Sequence, residues 1–245
     1  MSNTISANSH EISQELTTLD KRRPLIYSIL LVFQTLHLIS NTILIPGSRE
    51  ETTSLSYNNA AVIDLVIILL LNVTIMNFLY YFIKRKIFFW GLTLLLAISI
   101  ILNFINNILD LHDYHFATFR MVYGLVTLID LGLISLTFFV AVRDIFGKNL
   151  KIGSALLGAA NIYLLIGSGF AFIYVFLNIL MPGSMVPIAE LGMVYNTCVI
   201  QSTYVLGGMD LPSNNFLPAI KNLMMFESIF AHLFAVFIVG RLLAK

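Results

Sequence analysis

Charge is what this chain has least of. Only 11% of its 245 residues are Asp, Glu, Lys or Arg, against 58% hydrophobic, and the mean hydropathy is +0.88. A soluble domain carries about 25% charged and roughly 45–50% apolar residues. One aqueous core cannot hide this much apolar surface, so a water-soluble globule is excluded. Neither sign of charge dominates: 14 Lys and Arg against 13 Asp and Glu leave a formal net charge of +1, no basis for binding nucleic acid. The single cysteine, Cys198, excludes an intrachain disulfide and a cysteine metal cage. Residues 1–20 lack Lys, Arg and any early apolar run, so no secretory signal is expected there. With Glu11, Glu15, Asp20 and many Ser, Thr and Asn, they read as a short soluble tail.

What the chain has instead is long apolar runs. Crossing ~30 Å of hydrocarbon takes about 20 mostly apolar residues in a helix. Six stretches qualify, at about 25–45, 60–83, 87–109, 118–142, 152–181 and 219–243. The fifth is long enough to tilt or to protrude. Residues 188–206 fit neither a span nor an exposed loop, being moderately apolar but broken by Asn196, Thr197, Gln201, Ser202 and Thr203, then stopped by Gly207-Gly208. A re-entrant half-helix is the economical reading, because irregular backbone at membrane depth persists only beside a cavity or within protein. Basic residues set the orientation. Lys21, Arg22, Arg23, Lys84, Arg85, Lys86, Arg143, Lys148, Lys151, Arg241 and Lys245 fall on one side, and Arg49, Arg120 and Lys221 on the other. The positive-inside rule then places both termini in the cytoplasm, as an even number of spans requires.

Four spans followed by span, re-entrant helix and span is the plan of the voltage-gated-like cation channel superfamily. Residues 156–167, with Gly158, Asn161, Tyr163 and Gly167, followed by Phe170 and Tyr174, look like the outer pore helix of its bacterial six-span ion channels. Pro182-Gly183-Ser184 is similar to the turn that ends that helix, and residues 227–243 resemble the inner pore helix. Tyr195 and Gln201-Ser202-Thr203 sit where that family places its pore helix, with Asp210 and Pro212 following. The likeness covers roughly residues 150–245. It implies an all-α integral membrane protein of six transmembrane helices with a re-entrant pore helix between the fifth and sixth. Residues 1–23 would form a cytoplasmic tail, 24–149 a four-helix sensor-like domain and 150–245 the pore domain of a homotetramer.

The departures fall where function is decided. A potassium filter is a Thr-Val-Gly-Tyr-Gly strand whose carbonyls replace the ion's water. The equivalent here is Thr203, Tyr204, Val205, Leu206 and Gly207, then Gly208, with Val205 at the first filter glycine and Leu206 at the tyrosine. A β-branched residue resists positive φ, so the resemblance implies a channel fold without potassium selectivity. The family's mid-helix glycine is Ala231, which predicts a straighter inner helix, and the adjacent glutamine is His232. The fourth span has no arginine ladder; Arg120 and Arg143 stand at its ends and Asp130 near its middle. Each gating charge is worth ~2.3 kcal/mol per 100 mV, so weak or absent voltage dependence is expected.

Several residues admit two readings. Asp210 and Glu190 lie in a stretch without Lys or Arg: either rings of outer-vestibule carboxylates that concentrate cations, or solvated loop acids. Glu227, within the sixth span, either braces the pore helix from behind or meets ions, with bracing favoured. Asp64 and Asp130 either hydrogen-bond to Asn72, Asn103 or Gln34 or form a proton or ligand site. His232 is either a pore-facing pH switch or a neutral packing histidine. His112 and His115, flanking Asp113, are a weak zinc signal beside a solvated loop. The faces Asn103, Asn106, Asn107 and Gln34, His37, Asn41 read as glue between helices, or as a crevice for a ligand.

The leading expectation is a tetrameric cation channel in the plasma (inner) membrane, passing monovalent cations with low K⁺ selectivity, without metal or cofactor and without enzymatic activity. The alternative is a non-conducting receptor or accessory subunit on the same fold. A remote alternative, an intramembrane serine protease superficially similar to rhomboids, would use Gly167-Ser168-Gly169 with His232 or His37, but the order of elements differs. With the last span running to 243 and the sequence to Lys245, gating is expected through the membrane, the tail or a partner.

Overall fold

The computed structural model of the chain describes residues 22–39, 69–83, 86–108, 116–147, 151–185, 194–209 and 216–243. These residues form helices and short turns, with no strand among them: α1 (22–39), α2 (Leu69–Phe82), α3 (Lys86–Ile108), α4 (Phe116–Ile145), α5 (Ile152–Leu180), α6 (Val194–Leu206) and α7 (Pro218–Leu243). The all-α outcome follows from composition. Apolar side chains favour a solvent that cannot hydrogen-bond the backbone, and a helix satisfies its own N–H and C=O groups within one segment.

Three helices are long and apolar enough to cross a membrane, over Arg120–Ile145, Ile152–Leu180 and Pro218–Arg241. They coincide with the fourth, fifth and sixth expected spans. Leu69–Phe82 and Lys86–Leu102 are shorter apolar helices. The stretches 40–45 and 60–68 of the first two expected spans, and 188–193 of the expected re-entrant segment, lie outside the described residues. Helices α4 and α7 are apolar around their whole circumference rather than along one stripe, the pattern of a helix in hydrocarbon.

Helix α5 is the centre. It packs against α4, α6 and α7, while α3 packs against α4 and α6 also touches α7. The protein buries 56% of the apolar window of α5 but only 22% of that of α7. On α7 the buried positions are Ile220, Met224, Glu227, Ala231 and Ile238, one stripe at helical spacing. Large apolar side chains such as Phe226, Leu233, Val236 and Phe237 stand outside it, uncovered.

Polar side chains bolt the helices together near their ends. Arg23 of α1 pairs with Asp144 of α4 at 3.1 Å, and the Tyr27 hydroxyl donates to the same carboxylate at 2.9 Å. Asn161 of α5 donates to the Tyr27 carbonyl at 2.8 Å, and the Tyr27 ring lies 5.6 Å from that of Phe78 on α2. At the other end of α4, Arg120 donates to the Ile179 carbonyl at 2.9 Å, placing a cation on the negative end of α5. Asn178 then accepts from the Met185 backbone at 3.1 Å and the Ser184 hydroxyl at 3.3 Å, closing the Pro182-Gly183-Ser184 turn, where Gly183 takes φ 83.

Close approach requires Gly158. A Cβ there would lie 2.7 Å from Ile145 Cδ1, 2.9 Å from Ile145 Cγ1 and 3.3 Å from the Tyr27 ring. Gly158→Val is therefore expected to destabilise the protein by about 1–3 kcal/mol through overpacking. Gly153→Ala, in open space one turn earlier, is expected to be neutral or stabilising. Thermal unfolding in detergent distinguishes the two.

Candidate functional site

Two polar clusters stand inside this apolar frame. The first surrounds α6, a helix of 13 residues carried between α5 and α7. Glu227 of α7 is fully buried. Its carboxyl group meets the hydroxyl of Tyr174 on α5 and that of Ser202 on α6. The Ser202 oxygen also lies 2.8 Å from the Gly167 carbonyl of α5. Tyr174 donates to the carboxyl group, and the Ser202 hydroxyl has two acceptors in reach, the same carboxyl group and the Gly167 carbonyl. One carboxyl group thereby joins three helices. At the same place the Leu206 side chain packs onto the bare backbone of Gly167, where a Cβ would overlap Leu206 Cδ1.

The filter-equivalent residues do not form a strand. Thr203, Tyr204, Val205 and Leu206 are the last turn of α6, a correction to the extended backbone implied by the resemblance. Their carbonyls are committed. Thr203 accepts from Gly207 N–H at 3.0 Å, Tyr204 from Met209 N–H at 2.9 Å and Val205 from Gly208 N–H at 3.2 Å. Leu206 accepts from the Tyr163 hydroxyl of α5 at 2.6 Å. The reason is packing: Val205 and Leu206 are buried, and the Tyr163 phenol caps a carbonyl that a helix end leaves open. Gly207, Gly208 and Met209 follow as exposed, non-helical backbone, with Gly208 at φ 65, the left-handed geometry that ends helices on glycine.

The proposed gating pair divides. Ala231 is wholly buried against the chain's own helices, four residues after Glu227 on the same stripe, and cannot line a lumen. His232 is exposed, and its Nδ1 lies 2.6 Å from the Ser228 carbonyl. A carbonyl only accepts, so Nδ1 donates to it. Asp210, Glu190, Asp64, Asn41, His112 and His115 lie outside the described residues, as does the side chain of Asn103.

The second cluster surrounds a cavity of about 40 Å³ lined by residues of α1, α2, α4, α5 and α6. Its polar lining is His37, Asn72, Asp130, Ser168 and Tyr195. Asp130 accepts from the buried Ser99 hydroxyl of α3 at 2.8 Å, a partner that apolar periodicity did not single out. His37 Nε2 lies 2.7 Å from the Tyr195 hydroxyl, which ties α1 to the start of α6. Phe172 flanks the Tyr195 ring at 5.1 Å. Serine, histidine and aspartate thus share one cavity, yet not as a relay. Ser168 donates to its own helix at Leu164, 3.1 Å away, Asp130 is turned to Ser99, and the His37 Nε2 faces Tyr195. The order that would activate a serine nucleophile is not built. Among the described residues no group of three or more His, Cys, Asp or Glu is placed to hold a metal.

No family model, curated protein or solved structure matches the chain.

Glu227→Gln can accept from Tyr174 through its amide oxygen and donate to Ser202 through its amide nitrogen, leaving the Ser202 proton for the Gly167 carbonyl, and is expected to leave thermal stability nearly unchanged. Glu227→Ala leaves both hydroxyls facing an apolar gap and is expected to lower stability by about 1–3 kcal/mol for each group left without a partner. Equal losses in the two variants, by thermal unfolding, would mean that the carboxyl group does not join these helices.

Proposed function

We propose that the chain is one subunit of a tetrameric, channel-like membrane protein that passes monovalent cations with low K⁺ selectivity and weak or no voltage dependence. Six spans, a re-entrant α6 and cytoplasmic termini in the plasma (inner) membrane belong to this reading. The observation that carries it is the unit α5–α6–α7: a long apolar helix, a short polar helix ending in glycines, and a second long apolar helix, joined by the Glu227 carboxyl group. A short helix at membrane depth needs protein around it, and α5 and α7 supply that. The uncovered face of α7 carries His232 among its apolar residues, which suits a neighbouring subunit or water better than lipid.

Low selectivity follows from carbonyl use. A filter for K⁺ needs several successive carbonyls turned to the ion, whereas those of Thr203 to Leu206 are spent on helix and cap. That leaves Gly207, Gly208 and Met209, followed in sequence by Asp210, to face permeating cations. Weak voltage dependence is supported by Arg120, whose guanidinium is held on carbonyls of α5 rather than in a ladder. The committed carbonyls also favour a second reading, a non-conducting receptor or accessory subunit on the same frame.

Liposome flux from purified protein, with oligomer size measured in the same sample, separates these readings. Flux that tracks a tetramer, of the same order for K⁺ and Na⁺ and reduced by Gly208→Val, is the expected result. A tetramer without flux favours the accessory subunit; a monomer without flux removes both.

A further inference from the structure

The cavity among α1, α2, α4, α5 and α6 has no part in permeation as proposed above, and its chemistry is specific. Asp130 stands in the apolar middle of α4, and its Oδ1 is the atom that Ser99 reaches. Among the described residues it has no cationic partner, and no Lys or Arg lines the cavity. Asn72, on the α2 wall, has no hydrogen-bond partner among the described residues. Ser168 spends its proton on Leu164, which leaves its oxygen lone pairs available. A carboxylate at membrane depth is expensive and is found paired or beside water. Neutralisation by a proton alone needs no space. Here about 40 Å³ stays open, room for roughly three water-sized occupants at 10–15 Å³ each.

We propose that this cavity binds a partly hydrated monovalent cation of sodium size, held by the Asp130 carboxylate together with oxygens of Asn72, Ser168 and Tyr195. One carboxylate among otherwise neutral groups balances a single positive charge. A divalent ion would leave uncompensated charge in an apolar wall of Leu71, Ile75, Leu133, Ile134 and Phe172. Such ions also demand more oxygen ligands than the cavity offers. The imidazole of His37 already faces Tyr195 through Nε2, so the phenol stands between α1 and the ion. Occupancy of the cavity would therefore bear on the contact that joins α1 to α6. The inference concerns binding and stands or falls whether or not the protein conducts.

The test is thermal unfolding of the full chain in detergent, in NaCl against N-methylglucamine chloride at constant ionic strength and pH. Wild type is expected to show a saturable, Na⁺-specific rise in Tm. Asp130→Asn should abolish it, and Asn72→Leu, which keeps the carboxylate, should raise the half-saturating Na⁺ concentration several-fold. No Na⁺-specific shift in wild type, or an equal shift in Asp130→Asn, would overturn the proposal. So would an infrared band of a protonated carboxyl group that Asp130→Asn removes and Na⁺ does not affect. Should Asp130→Asn fail to fold, Asn72→Leu and Ser168→Ala carry the same comparison, and unchanged Na⁺ dependence in both would overturn it.

Discussion

A buried polar group inside an apolar bundle gains most from a partner on another helix, and α5 supplies such partners along its whole length. From one end of α5 to the other, Asn161 reaches α1, Tyr163 caps α6, the Gly167 carbonyl meets Ser202, Tyr174 meets Glu227, and the Ile179 carbonyl receives Arg120. Each bond is worth only about 0.6 kcal/mol on average in a membrane, so their sum is not the main source of stability. What they fix is register. Sliding any neighbour by one turn, about 5.4 Å, would separate its pair and leave two polar groups without partners. Apolar packing alone tolerates such slips, because one face of leucines, isoleucines and phenylalanines is much like the next.

The same accounting explains the end of α6. A channel filter and a helix terminus compete for the same carbonyls, and here the helix takes them. Thr203 adds a local preference, its hydroxyl donating back to the Val199 carbonyl at 2.8 Å. Tyr163 adds a distant one, supplying the donor that the Leu206 carbonyl would otherwise lack. With Leu206 pressed toward Gly167, unwinding this turn would expose buried apolar surface and free several carbonyls at once. Gly207-Gly208 is where the chain first leaves the helix without that cost.

The long helices were legible in the sequence because continuous apolar composition sets their length. The fifth expected span, 152–181, differs from α5 by one residue, and the fourth and sixth differ from α4 and α7 by a few at most. The turn at Pro182-Gly183-Ser184, expected from the family likeness alone, does end α5. Pairings between helices were not. Ser99 opposite Asp130, Arg23 opposite Asp144 and Tyr195 opposite His37 depend on which faces meet, and one sequence carries no signal of that. Arg23, which in the sequence is only one of a run of basic residues, has a specific partner 3.1 Å away. The end of α6 has two readings in the sequence: the helical stretch expected to stop at Gly207-Gly208 does end at Leu206, whereas the filter alignment over 203–207 implies extended backbone. The N–H groups of residues 207–209 with the distant Tyr163 hydroxyl hold it helical.

The ends and the middle of α4 are built differently. Helix α4 is held at one end by Arg120 on the α5 carbonyls and near the other by Asp144 with Arg23 and Tyr27. A helix tied at both ends cannot slide along its axis without breaking a partly buried ion pair, which argues against a piston-like response to voltage. Between those ties lie Asp130, Asn72, Ser168 and the His37–Tyr195 contact, around open space rather than close packing. Rearrangement costs least there, since few van der Waals contacts must be broken to move a side chain into a cavity. Tyr195 belongs to the first turn of α6, and Gly207-Gly208 follow directly on its last turn. A change in the polar middle of the bundle is therefore separated from Gly207-Gly208 by a helix of only 13 residues.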